Sequence, residues 1–476
     1  MTQEWFPPQL QPFQRLQVTD GLLMNAERWR LAHRYHRQRT NYHYQSLNQA
    51  GVVYGLGVSV IEPPEEVRSQ YRDGRWLQIQ PGIAIDQQGN FIIVPDPVEF
   101  RLASENHGKH PLTVYLVVRY VDPDTLQRQQ SGELVQETFR IDEKTAPPGN
   151  GDVELCRLQL PVSGDNPPAV VTLSNAGDIF APQDCQPNLL YRQQARSRPQ
   201  VLLKVAQIQH LGNSPQAAAK FQQFNEFLNN VESLYPAMIP EHGLHQVSLQ
   251  GQDGSSPALD YDLLYFPTQG DVTLTETEAE TLKRHLEAGG VLLIEPEIRD
   301  TPLADLLQVQ KELHTAIAET ERNPDLAQSY QELITELNAL QTTITTQLPQ
   351  TFAVWDTLAR EMGTPLETLS HLNHPLRKQP FLFSTLPIIQ NSLTHLTVAG
   401  GIIILLGNLS LAWAYNPNYI FSREITRSSQ ELGVNLCYFA WRRKQLMQWQ
   451  KPTQNTEPAS MTAEPPSLSL EKMGNS

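Results

Sequence analysis

The chain is poor in cysteine, carries an excess of negative charge, and has no uninterrupted long apolar run. Its three cysteines, Cys156, Cys185 and Cys437, are an odd number with no CxxC spacing. That usage argues against a disulfide framework or a structural zinc site and suits a reducing compartment. With 36 Lys and Arg against 51 Asp and Glu, the formal net charge is -15. Such a balance argues against nucleic acid or an anionic membrane as the main partner. The opening MTQEWFPPQLQPFQRL lacks the charged start and apolar run of a secretory signal. The one stretch as long as a membrane span, Leu396 to Tyr415, is interrupted by three glycines, Asn408 and Ser410, and its Ile402-Ile403-Ile404 triplet favours a strand. The expectation is a cytoplasmic protein with no spanning helix, no metal site and no cofactor.

What is present is punctuated. The 476 residues are 39% hydrophobic and include 36 prolines and 26 glycines, which predicts long loops and a flexible end. The most regular stretch, Leu259 to Glu297, reads as strand, loop, helix and strand. Leu263 to Phe266 is a continuous apolar run stopped by Pro267, as in a strand buried on both faces. Thr275 stands at the N-cap position with Glu278 at capping-box spacing, Ala279, Leu282 and Leu286 follow at helical period, and Gly289-Gly290 ends the helix. Val291 to Ile294 is the second apolar strand. Two such strands joined by a helix form a right-handed crossover unit of a parallel sheet.

Upstream, Asn25 to about Leu47 has helical spacing and a basic outer face from Arg28, Arg30, Arg34, Arg37 and Arg39. That face is expected to be solvated, with the aromatic side chains docking the helix onto a neighbouring sheet. Short β-rich runs follow over 51–63, 75–86, 90–100, 112–122 and 153–160, with Asp86 to Asn90 as a hairpin loop. A mainly antiparallel β module with one leading helix is therefore expected over 1–171, then a connector over 172–198. An α/β domain follows over 199–450, and a polar, Pro-rich, disordered tail over 451–476. Within the α/β domain, leucine stripes on either side of Asn323-Pro324-Asp325 predict a helical hairpin insertion over 300–348. This hairpin is expected either to pack on its own domain or to meet a protein partner. Leu393 to Leu406 is expected as one core strand, and Arg423 to Trp441 as a mixture of helix and strand.

Several motifs resemble known families. The strand ending in YFP followed by LTETEAETLKRHLEAGGVLLIEP resembles the uncharacterised bacterial family called domain of unknown function 4159. HLNHPLRKQPF from His371 to Phe381, and the run from Gly401 through NLSLAWAYNPN to ELGVNLCYFAW, fit the same family. The resemblance covers roughly residues 198–450, and it implies a class I glutamine amidotransferase-like fold with no known reaction. YHRQRTNYHYQSLNQAGVVYGLGVSV followed by LQIQPGIAIDQQGNFIIVP resembles an N-terminal module of bacterial proteins encoded near phage-tail-like contractile injection systems. That resemblance implies an assembly or adaptor role and no catalytic residue.

An amidotransferase-like sheet raises the question of a cysteine nucleophile at a sharp turn between small residues. Cys437 instead sits among bulky apolar residues in NLCYFAW, and Cys156 and Cys185 fall outside the α/β domain. No catalytic residue is assigned on this ground. Glu295 and Glu297 stand at the carboxyl end of a central strand, where open α/β sheets bind ligands, and Asp262 and Gln269 lie on the neighbouring unit. Asn408 and Trp413 follow the last apolar strand and offer a pocket wall. These six are the candidate ligand-binding residues; the competing reading makes the carboxylates solvated and Trp413 a core residue. His371 and His374 lack a third metal ligand nearby. Two functions therefore stay open, a non-catalytic binding or assembly protein and an enzyme or small-ligand or metal sensor built on the strand-end groove.

Overall fold

The computed structural model describes residues 11–122, 136–162, 171–209, 215–250, 257–269, 272–297, 301–320, 327–369, 371–389, 392–415 and 419–450. The expected tail over 451–476 and the hairpin turn at 323–325 lie outside them. The chain divides into two compact units, Gln3–Arg198 and Pro199–Ser476.

The first unit is β-rich. It opens with α1 (Ala26–Leu47) and continues as β1 (Asn48–Gln49), β2 (Gly51–Gly55), β3 (Val58–Val60), β4 (Trp76–Ile79), β5 (Gly82–Ile85), β6 (Phe91–Val94), β7 (Val98–Arg101), β8 (Leu112–Val121), β9 (Thr138–Lys144), β10 (Asp152–Leu160) and β11 (Arg196–Ser197). The strands form three antiparallel sheets, β2-β5-β6, β3-β4-β7 and β10-β8-β9, with β1 and β11 as a separate pair. Alternating residues such as Leu77, Ile79, Val114, Leu116, Leu158 and Leu160 point into one shared core. Asn25 caps α1 by accepting the Arg28 N–H at 2.9 Å. No residue of α1 is fully buried, so this helix lies on the module rather than inside it. Tyr44 meets Phe91 edge to face at 4.7 Å, and Gln45 donates to the Gln88 carbonyl at 2.5 Å. The approach depends on Gly89, at φ +79°, where any Cβ would come within 2.3 Å of the Asn41 carbonyl oxygen. The segment expected as a connector packs back on this unit, with Leu173 in its core and β11 paired to β1.

The second unit is α/β. Its elements are β12 (Val201–Gln209), α2 (Pro215–Leu234), β13 (Met238–Ser248), β14 (Leu263–Gln269), α3 (Glu276–Glu287), β15 (Val291–Glu297), α4 (Pro302–Thr320), α5 (Ala327–Thr351), α6 (Ala353–Glu361), β16 (Glu367–Thr368), α7 (Pro375–Lys378), β17 (Ile388–Ile389), β18 (Ser392–Leu393), β19 (His395–Ala399), β20 (Ile402–Leu406) and α8 (Arg423–Gln450). Seven of these strands make one sheet in the order β13-β12-β14-β15-β20-β19-β16. The first five run parallel, β19 runs against β20, and β16 at the edge runs against β19.

Apolar side chains cover both faces of this sheet, as the continuous apolar runs require. One face packs Leu263, Leu293 and Ile403 against α2 and α8. The other packs Leu264, Leu292 and Ile404 against α3, α5 and α6. Successive crossovers thus change faces between α2 and α3, which makes the β12/β14 boundary the switch point of the sheet. The expected crossover unit is β14-α3-β15, and both bonds of its capping box form between Thr275 and Glu278.

Two expectations are corrected. Leu393 to Leu406 is not one strand but the hairpin β19–β20, turned at Gly400 with φ +57°. Arg423 to Trp441 does not mix helix and strand; it lies within the single 28-residue helix α8. Leu432, Leu436 and Ala440 of α8, spaced four apart, form a buried stripe, and that burial outweighs the strand preference of the Val434 and Cys437 to Phe439 region. The two insertion helices pack at their base on the sheet through Leu303, Ile344 and Leu348.

Candidate functional site

The strand-end position selected from sequence carries a built constellation. Glu295 has no solvent exposure. Its neighbours in the strand, Ile294 and Leu293, face opposite sides of the sheet, and the register sets Glu295 beside Pro267, two residues beyond Tyr265. The Tyr265 hydroxyl donates to Glu295 Oε2. Ser410 donates to Oε1 twice, from Oγ at 2.9 Å and from its backbone N–H at 3.2 Å. Lys220, reaching in from α2, places Nζ 3.5 Å from Oε2 and 3.2 Å from the Glu295 carbonyl oxygen. A buried carboxylate persists in the interior when its charge is paired and its lone pairs are filled, and both conditions are met here. Burial, and after it the Glu295 charge, raise the Tyr265 phenol well above its usual range, so Tyr265 remains a donor.

Beneath these polar atoms lies an aromatic cluster. Trp413 stacks on Phe227 with centroids 5.2 Å apart, and Phe224 meets Trp413 at 4.9 Å and Tyr265 at 4.8 Å. The Trp413 indole N–H donates to the Ser429 carbonyl at 3.0 Å. Trp413 is therefore interior, 1% exposed, and forms no open pocket wall. Asn408 is exposed and holds a left-handed conformation at φ +54°, the residue from which the chain leaves β20 and brings Ser410 to Glu295.

Asp262 does not join this group. It immediately precedes β14, at the amino edge of the sheet, and β15 runs parallel beside it. Five residues of strand separate the two levels, or about 16 Å at ~3.3 Å per residue. There Asp262 Oδ2 accepts the Lys204 N–H at 2.8 Å, and Oδ1 lies 3.6 Å from Lys444 Nζ. Lys444 also donates to the carbonyls of Leu259, Asp260 and Tyr261, tying α8 to the turn before β14. Burial raises the Asp262 carboxyl and lowers the Lys444 ammonium, so desolvation outweighs their mutual attraction. Glu297 ends β15 half-buried, and the Gln269 side chain is outside the described ones.

The remaining sequence candidates are structural. Burial raises the Cys437 thiol, whose site lies inside α8 against the core. His374 caps α7, accepting the Leu376 N–H at 3.3 Å, and packs on Phe439. Buried Asn435 fixes the same 371–381 segment to α8, accepting from the Phe381 N–H at 2.9 Å and donating to the Leu376 and Phe381 carbonyls. Among the described residues no group of three or more His, Cys, Asp or Glu is placed to hold a metal ion, and no helix is long and apolar enough to cross a membrane.

Sequence reasoning placed Glu295 and missed its partners Lys220, Tyr265 and Ser410. One signal was readable: Lys220 occupies the same stripe as Phe224, Phe227 and Val231, at spacings of four, three and four, where a lone lysine is out of place unless paired.

This is a doubly wound α/β unit with a filled carboxylate site at the carboxyl edge of its sheet. Residues 246–441 match the family model described as Domain of unknown function (DUF4159). The match begins within β13, so Glu295, Tyr265 and Ser410 lie inside it and Lys220 precedes it. No curated protein matches the chain.

Proposed function

We propose that this chain is a non-catalytic binding or assembly protein whose α/β unit is a degenerate relative of the class I glutamine amidotransferase fold. The observation that carries the reading is the state of Glu295. At the edge where open α/β enzymes present reactive groups, every partner of this carboxylate is already engaged, and the site is closed rather than poised. The one cysteine of the unit is an interior α8 residue with a raised thiol, the opposite of an activated nucleophile.

The contact in this reading is the α4–α5 hairpin. Its base belongs to the domain core through Leu303 and Ile344, and Val309 of α4 is 42% exposed. The resemblance of the N-terminal module makes proteins of a phage-tail-like contractile injection apparatus, in a bacterial cytoplasm, the proposed partners. The alternative, an enzyme or small-ligand sensor, draws on Lys220, whose side chain keeps 14% exposure and so links Glu295 to the outside.

Affinity capture from the native host separates the two. The full chain is compared with a variant in which residues 311–339 are replaced by a short Gly-Asn turn, which keeps the hairpin base. Retention of sheath or baseplate-like proteins by the full chain alone supports assembly. Equal retention by both removes the hairpin from the reading, and loss of a metabolite-dependent activity on Glu295→Gln would establish the alternative.

A further inference from the structure

The described residues of the first unit enclose a cleft of about 480 Å³ between α1 and the sheets. One wall is a single face of α1, because Arg30, His33, Arg34 and Arg37 recur at three- and four-residue spacing. The other wall includes Phe91 of β6 and Tyr120 of β8. From Arg30 to Arg37 the helix advances about 10 Å.

The cations of this cleft differ in their state. Arg37 is held by Asp122 at 2.9 Å, which raises its guanidinium further. Arg30 and Arg34 are exposed and make no hydrogen bond or ion pair with any described residue. Glu137, itself exposed, is the one carboxylate among the described residues that line the cleft. The cleft therefore keeps an excess of positive charge in a chain whose net charge is -15. Two adjacent free guanidinium forks match a doubly charged phosphoryl group better than a single carboxylate. The volume falls in the range of small-molecule sites, and Phe91 supplies an apolar wall for the uncharged part of a ligand.

We propose that this cleft binds a small phosphorylated molecule, with Arg30 and Arg34 on its phosphoryl groups and Arg37 positioned by Asp122 at the inner end. The site is independent of the Glu295 network and of the hairpin contact. Isothermal titration calorimetry on the full chain, with inorganic pyrophosphate as the probe at physiological ionic strength, tests it. Arg30→Gln/Arg34→Gln is set against Arg39→Gln, since Arg39 lies outside the cleft and contacts Tyr35. These side chains are exposed, so the substitutions leave the fold intact. The expected result is saturable one-site binding, weakened about tenfold or more by the double substitution. Arg39→Gln is expected to change it by less than about twofold. Absence of saturable binding, an equal loss in Arg39→Gln, or binding of a poly-glutamate peptide in place of pyrophosphate would overturn the proposal.

Discussion

Replacing Glu295 by alanine removes one side chain, leaves three donors without their acceptor and takes the counter-charge from Lys220, which keeps the residue-295 carbonyl. The Tyr265 hydroxyl is fully buried, the Ser410 Oγ and N–H are buried, and the Lys220 ammonium loses its counter-charge at 3.5 Å. A buried donor left unsatisfied costs about 1–3 kcal/mol, and breaking a buried ion pair from one side about 3–5 kcal/mol. These terms are not additive, because Lys220 keeps some exposure and water can enter the space left. A net loss of about 4 kcal/mol is the working figure, a large part of the stability of a typical domain. Glu295→Gln keeps an acceptor for one hydroxyl and loses the charge, so about 2 kcal/mol is expected. Urea unfolding of the full chain, followed by tryptophan fluorescence and far-ultraviolet circular dichroism, measures both. A double-mutant cycle with Lys220→Met isolates the pair. A shift for Glu295→Ala within about 0.5 kcal/mol of the parent chain, the range of ordinary surface substitutions, would refute the reasoning.

Three further outcomes follow from other sites. His285 and His395 are buried, and desolvation lowers each ring to about 4. The folded state then resists protons that the unfolded chain takes up below about 6.5, so stability is present above that pH and is lost as pH falls toward 4. Urea midpoints at pH 7 and pH 4.5 should therefore fall steeply for the parent chain, and less steeply for His395→Gln. Gly433 lies inside α8 where a Cβ would come within 2.8 Å of the Phe227 ring and 3.0 Å of the Trp413 indole nitrogen. Overpacking of about 1–3 kcal/mol exceeds the roughly 1 kcal/mol gained by helix propensity, so Gly433→Ala should lower the thermal midpoint. Thr275→Ala removes the cap of α3 and should cost about 1 kcal/mol by urea denaturation, with the strands on either side unaffected.

How much of this was legible depends on how local the signal is. The β14-α3-β15 unit could be read directly, since its cap, helical period and glycine stop all lie within one stretch. The Asp86 to Asn90 turn was equally local, with the Asp86 carboxylate accepting from the Gln88 and Asn90 N–H groups. Helix α8 was legible only in part, because LGVNLCYFAW favours strands locally and the aromatic cluster and sheet above it select the helix. The β19–β20 hairpin was hidden by its flanking apolar runs, which read as one strand across Gly400. At the site, position on the strand pointed to Glu295. Burial did not show in sequence, because it arises from α2, β14 and the turn after β20, elements far apart along the chain. Asp262 lies directly before the Leu263 to Phe266 run, and in a parallel sheet that order alone sets it at the end opposite Glu295.

The most direct test of the assembly reading places a photoreactive side chain at Val309, an exposed residue of α4, and irradiates the full chain in its native host. The account predicts a discrete adduct with a component of a larger protein assembly, absent when the same side chain replaces exposed Glu65 in the N-terminal unit. Adducts only with copies of the chain itself, or the same pattern from both positions, would contradict it.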